Sequence, residues 1–100
     1  MIKHIVAWKL KDEAEGNKKC ENAKIIKERL EALRNIITEI KNIEVGININ
    51  DSSSAYDVVL YSEFETLNDL EKYQKHPEHV KIAEFIGKIR EDRIVVDYEA

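Results

Sequence analysis

From Ile2 to Leu10 the chain carries apolar side chains on both faces of what its alternation marks as a β-strand. Ile2, His4, Val6, Trp8 and Leu10 share one face, while Lys3, Ile5, Ala7 and Lys9 share the other. Successive strand side chains point to opposite sides, so a strand that is apolar on both needs cover on both. A chain of 100 residues makes one domain with a single core, spanning 1–100. Its own helices can cover one face of a sheet, and the second face needs something else.

The other periods along the chain show what the sheet contains. Lys11 to Gly16 reads as a charged loop, and Asn17 as the N-cap of a long helix. Ala23, Ile26, Leu30, Leu33 and Ile37 form that helix's apolar stripe at spacings of three and four, with Lys24, Lys27, Glu28, Glu31 and Arg34 outside. Ile43, Val45, Ile47 and Ile49 alternate as a second strand, and Asn50 to Ser54 is a run of turn formers. Tyr56 to Phe64 is a third strand, with Val58, Leu60 and Phe64 on one face and Val59 and Tyr61 on the other. Thr66 and Asp69 have the spacing of a capping box, opening a short helix anchored by Leu67, Leu70 and Tyr73. Pro77 interrupts that helix and starts another, with Val80, Ala83, Ile86 and Ile89 inward and Phe85 widening the stripe. Arg90 to Arg93 leave the helix, and Ile94 to Tyr98 is the last strand.

The order β-α-β-β-α-β is the split βαβ, ferredoxin-like arrangement of the α+β class. Right-handed crossovers place the helices on one face of a four-stranded antiparallel sheet. Ile5, Ala7, Val59, Tyr61 and Val95 are then expected on the other face. An apolar face of this extent on so small a protein is covered most simply by the same face of a second copy, giving a twofold homodimer through the sheets.

Composition narrows the partners. The net charge is −4, with 16 basic and 20 acidic residues interspersed, so a nucleic-acid footprint is not expected. Cys20 is alone and no internal disulfide is possible, which fits a reducing, cytoplasmic setting. The N-terminal residues read as a strand and not as a signal peptide, and no apolar run approaches the ~20 residues of a membrane span. Gly-rich phosphate loops, nucleophile elbows and zinc-protease motifs do not occur, and no cofactor is implied.

The densest chemistry lies between Glu71 and Val80. Tyr73, His76 and His79 recur every three residues, with Pro77 between the histidines. His79 falls in the first turn of a helix, where the dipole and partial burial favour a neutral ring. A neutral His79 near the Tyr73 phenol is a candidate general base with a substrate-orienting hydroxyl. The plainer reading is that the pair hydrogen-bonds to fix the helix junction. His76, just before the proline, reads as an N-cap or a surface residue. His4 shares a strand face with Val6 and Trp8 and is expected either to approach His79 or to sit satisfied in the core. A metal held by His76 and His79 with His4 or Glu78 is a further alternative, but Pro77 separates the two histidines and no metal site is expected.

Several of these stretches together resemble the stress-responsive dimeric α/β-barrel (Dabb) family. They are His4-Ile5-Val6-Ala7-Trp8-Lys9-Leu10-Lys11, Tyr56-Asp57-Val58-Val59-Leu60, Tyr73 followed by His76-Pro77-Glu78-His79-Val80, and Val95-Val96-Asp97-Tyr98. The resemblance covers nearly the whole chain and implies a homodimer whose sheets form a shared barrel. It says little about activity, since many members have none assigned. A few relatives, plant polyketide cyclases, close rings without a cofactor. Their tyrosine and His-Pro-x-His are matched by Tyr73, His76, Pro77 and His79, and their strand histidine by His4. Val58 and Leu30 stand where such a cyclase has a histidine and a tyrosine. Taken together, a pocket is expected between helices and sheet, walled by His4, Val6, Trp8, Leu30, Val58, Leu60, Tyr73, Phe85 and Ile86. Three functions follow: binding of a small, partly apolar ligand; cofactor-independent catalysis with His79 as base; or a structural dimer with a filled core.

Overall fold

A computed structural model describes residues 1–100. Strand β1 (Ile2–Leu10) is followed by a small hairpin of β2 (Glu13–Ala14) and β3 (Asn17–Lys18), then helix α1 (Lys19–Glu31) with a 3₁₀ turn at Ala32–Asn35. Strands β4 (Asn42–Ile47) and β5 (Val58–Phe64), helices α2 (Leu67–Lys75) and α3 (Pro77–Ile89), and strand β6 (Arg90–Glu99) complete the chain. The main sheet is antiparallel throughout, in the order β4-β5-β1-β6. This is the ferredoxin-like α+β fold, with the long first strand at its centre.

The core lies between this sheet and the helices. Val6 and Trp8 of β1, Leu60 and Phe64 of β5 and Val45 of β4 meet Ile26 and Leu30 of α1, Tyr73 of α2 and Ile86 of α3. None of the three helices is both long and apolar enough to cross a membrane.

The local signals at the helix starts act as their chemistry requires. The Thr66 hydroxyl accepts the Asp69 N–H at 3.1 Å and opens α2. His76 closes α2 and opens α3, its ring Nδ1 accepting the Glu78 N–H at 3.1 Å, with Pro77 in the first helical turn. The start of α1 differs from the expectation. Glu15 and Gly16 both adopt positive φ, at 51° and 78°, so the chain reverses there and pairs Asn17 with Ala14. Asn17 is therefore in a hairpin and not an N-cap, and Lys18 is the residue before the helix. The Glu21 carboxylate accepts the Lys18 N–H at 3.3 Å.

Other differences come from packing. Leu33 and Ile37 are buried as expected but lie beyond the end of α1. Ile49 lies past the end of β4 and is fully exposed, since the chain turns away after Ile47. Ile86 and Ile89 of α3 are buried as expected, but Val80 is exposed and Ile82 takes the place of Ala83, because the packed face of α3 is rotated slightly from the expected stripe; Leu67, at the start of α2, is also exposed. Strand β6 follows α3 directly, so Arg90 to Arg93 are strand and not an exit loop.

That continuity sets a register that moves Val95. Antiparallel partners share a face, and Val95 stands opposite Val6, on the helix side. The outer face carries Ile94, Val96 and Tyr98 instead, beside Ile5, Ala7, Val59 and Tyr61. The helices do not reach over β6, and Val95 remains 47% exposed despite facing their side. Ile26 is the cleanest test of the core, being fully buried on α1. Ile26→Ala should lower stability by about 2–5 kcal/mol in urea denaturation; a loss below about 1 kcal/mol would place the core elsewhere.

Candidate functional site

A cavity of about 300 Å³ opens between the sheet and α3, on the side where β6 is uncovered. Its floor is His4, Val6 and Trp8 of β1 with Leu60 of β5. Leu30 closes it from α1 and Gln74 from α2. His79, Ala83, Ile86 and Gly87 line it from α3, and Arg90 and Arg93 stand where α3 runs into β6.

The α2–α3 junction fixes His79. With His76 serving both helices, a single residue separates α2 from α3, and the first turn of α3 lies against the last carbonyls of α2. His79 Nδ1 lies 3.0 Å from the Gln74 carbonyl oxygen. That oxygen only accepts, so Nδ1 carries the proton and Nε2 of the neutral ring is left as an acceptor. Burial holds the His79 ring below the usual histidine value, the contact to Gln74 opposes this, and the neighbouring His4, Arg93 and His76 lower it further. A neutral ring with one defined basic nitrogen is the result.

His4 is held by its cross-strand neighbour on β6. It is buried, and its Nδ1 donates to Asp97 Oδ1 at 2.5 Å, across the β1–β6 pairing. Its backbone carbonyl accepts the Ser62 hydroxyl at 3.2 Å. Tyr73 lies between the two histidines, with ring centroids 4.5 Å from His79, 6.2 Å from His4 and 4.9 Å from Phe64. Its side chain is fully buried, and the hydroxyl has no hydrogen-bond partner in the protein. Burial pushes the phenol well above its ordinary value, so it is a donor and not a phenolate at neutral pH.

His4, Val6, Trp8, Leu30, Leu60, His79 and Ile86 thus meet at one cavity. Three expected wall residues do not. Tyr73 stands behind His79, in the core. Val58 is enclosed, paired with Trp8 and Ile47 at the far end of β5. Phe85 turns toward α1, where the Arg29 guanidinium lies 5.3 Å from its ring centre, because neighbouring helix positions are rotated by about 100°. The proposed metal ligands do not converge: His76 bonds the α3 backbone and His79 the α2 backbone, and no group of three His, Cys, Asp or Glu side chains gathers. Gln74, Arg90, Arg93 and Asp97 were missed by sequence reasoning. Arg93 and Asp97 do share the strand period with Val95, a signal that becomes legible only with the β1–β6 register.

The model of the Stress responsive A/B Barrel Domain family matches residues 2–100. A stress-response A/B barrel domain-containing protein of Arabidopsis thaliana is 27% identical over the whole of this chain, which covers 47% of its length. The chain spans less than half the length of the curated relatives it matches. Among solved structures, a dimeric protein of unknown function and ferredoxin-like fold from Bacteroides fragilis is 40% identical, with a TM-score of 0.88 over 99% of this chain and 95% of its own. A hydroxynitrile lyase from Passiflora edulis shares the fold at 22% identity, with a TM-score of 0.77 over 97% and 90% of the two chains.

The position of His79 makes a pH prediction. Its native value lies below its unfolded one, so between the two the unfolded chain binds more protons. The stability tied to the neutral ring is fully present above about 6.5 and is lost as pH falls through the native value. NMR titration of the His79 ring should give a midpoint below about 6.5, and a midpoint at or above it would contradict the burial described here.

Proposed function

Because the chain belongs to the Stress responsive A/B Barrel Domain family, we propose that it works as a homodimer which binds a small, partly apolar ligand in the cavity beside His79. The observation that carries this reading is the pairing of an apolar floor with one uncommitted basic nitrogen, His79 Nε2. A volume of about 300 Å³ sits at the small end of ligand pockets, so the ligand is small. Val6, Trp8 and Leu60 offer it apolar contact, while His79 Nε2 accepts a proton or a hydrogen bond.

A second reading adds chemistry at the same place. His79 as general base would withdraw a proton from the bound molecule, with Tyr73 and His4 holding its ring environment and no cofactor needed. The fixed tautomer and the neutral state favour this reading, and a protein of the same fold described as a hydroxynitrile lyase is in keeping with it. A purely structural dimer is less favoured, since the space beside His79 is not filled by side chains.

The homodimer rests on the outer sheet face, where Ile5, Ala7, Val59, Tyr61, Ile94, Val96 and Tyr98 are gathered, and on the dimeric description of the Bacteroides fragilis relative. A lasting interface of this type buries on the order of 2,000 Å² or more. A reducing, cytoplasmic setting accords with the free, exposed Cys20.

Four measurements test these readings. A metabolite screen by thermal shift should find small molecules that raise the melting temperature of the wild type and not of His79→Ala. If turnover of such a molecule is found, it should vanish in His79→Ala, and its survival would remove the catalytic role. Tyr73→Phe should leave stability unchanged or raise it by about 1 kcal/mol, because no protein hydrogen bond is lost; a large loss would mean the hydroxyl is bonded within the fold. Light scattering should show a wild-type dimer at micromolar concentration and a dissociated or unfolded Val59→Asp. A stable wild-type monomer would end the dimer proposal.

A further inference from the structure

We infer that the cavity selects a ligand bearing a carboxylate, anchored by the guanidiniums of Arg90 and Arg93 where α3 runs into β6. This rests on the ligand-binding reading above and narrows its chemistry. The chain has four arginines, at positions 29, 34, 90 and 93. Two are occupied: Arg29 lies over the Phe85 ring, and Arg34 donates to the Ile43 carbonyl at 2.6 Å and to Asn42 at 3.2 Å. The other two line the cavity, and neither guanidinium takes part in any ion pair of the protein. Two acidic residues stand between them in sequence: Asp92 is engaged elsewhere, accepting from the Tyr56 hydroxyl at 2.5 Å and from the Arg93 backbone N–H at 2.9 Å, and Glu91 forms no ion pair and borders a different cavity.

The protein as a whole is acidic, yet none of its 20 Asp and Glu residues lines this cavity. Asp97, on the same face of β6, is tied to His4. Two uncompensated cations at a cavity of an acidic protein attract an anion, and the planar guanidinium matches a carboxylate through paired N–H donors.

Arg93 pairs with Trp8 in the sheet, and His4 lies four residues earlier on β1, about 13 Å away along the strand. His79 and Arg90 are eleven residues apart on and just after α3, about 16 Å along the helix axis. The backbone positions of the two arginines are thus well separated from those of the histidines, while the Arg93 side chain reaches close enough for its charge to act on His79. Val6, Leu60, Ile86 and Trp8 supply the apolar part of the lining. The complementary molecule is a small organic acid with an apolar or aromatic body.

Phenylacetate and its neutral analogue phenylacetamide test this by calorimetric titration of the intact protein. The wild type should bind the acid roughly tenfold more tightly than the amide, the size of advantage that a charge-assisted pair gives. The advantage should shrink between about 50 mM and about 500 mM salt, because ions screen the guanidiniums. Arg90→Gln and Arg93→Gln should each reduce the preference, and the double variant should abolish it, with circular dichroism showing that the fold persists. Equal binding of acid and amide by the wild type, or a preference that survives the double variant, overturns the carboxylate anchor and leaves the ligand-binding reading standing. Failure of both compounds to bind at millimolar concentration overturns that reading, and this inference with it.

Discussion

Strand β1 is hydrogen-bonded along both edges, to β5 from Ile2 to Trp8 and to β6 from Ile2 to Leu10. Every layer of the protein is built on that strand. Its inner face supplies His4, Val6 and Trp8, which floor both the core and the cavity. Its outer face supplies Ile5 and Ala7, which join residues of β5 and β6 in an apolar surface. Because side chains alternate strictly along a strand, a one-residue slip would exchange the two sets. His4 would then leave the cavity, and the outer surface would lose its apolar centre. The two-sided character of nine residues thus ties the cavity and the proposed dimer to one register.

The second constraint is the junction of α2 and α3. A chain leaving one helix normally abandons its last carbonyls to water, and a chain entering the next leaves its first N–H groups unpaired. Here two histidines take up parts of both. His76 caps the start of α3, and the His79 ring donates to the Gln74 carbonyl near the end of α2. The second bond orients the imidazole and selects its tautomer, so a backbone need at a helix end also leaves Nε2 as the ring's free acceptor. Tyr73 sits beneath, with its hydroxyl unpaired at a place where buried polar groups nearly always have partners.

Strand β6 gives the cavity its opening. The helices cover β4, β5 and β1 but leave the inner side of β6 bare. Arg93 and Val95 therefore border space and not packed side chains, whereas Asp97 reaches back to His4. Had α3 shifted over this edge, the arginines would have needed carboxylate partners and the cavity would have closed.

Much of this arrangement was legible before any coordinates. The alternation in β1, the Thr66 cap and the helix start at His76-Pro77 are local signals, because their chemistry involves residues within three or four positions. The order of elements followed from them, and with it the ferredoxin-like topology. His4 and His79 could be nominated for the same reason, one by strand period and one by helix spacing. Most of the failures are non-local. Val95 was assigned to the wrong face because alternation within β6 does not say which of its two faces meets Val6. Arg93 and Asp97 went unnoticed with it, since only pairing with Trp8 and His4 gives them a meaning. The Glu15–Gly16 reversal displaced the expected N-cap through a hairpin whose strands are two residues long, too short to leave a periodic signal. The faces of α3 were rotated because the helix packs where the sheet and α1 leave room. The sequence by itself determined which segments are strands and helices and in what order, because those depend on spacing between neighbours. Only the tertiary structure decided which side chains share the cavity, because that depends on register between segments ninety residues apart in the chain.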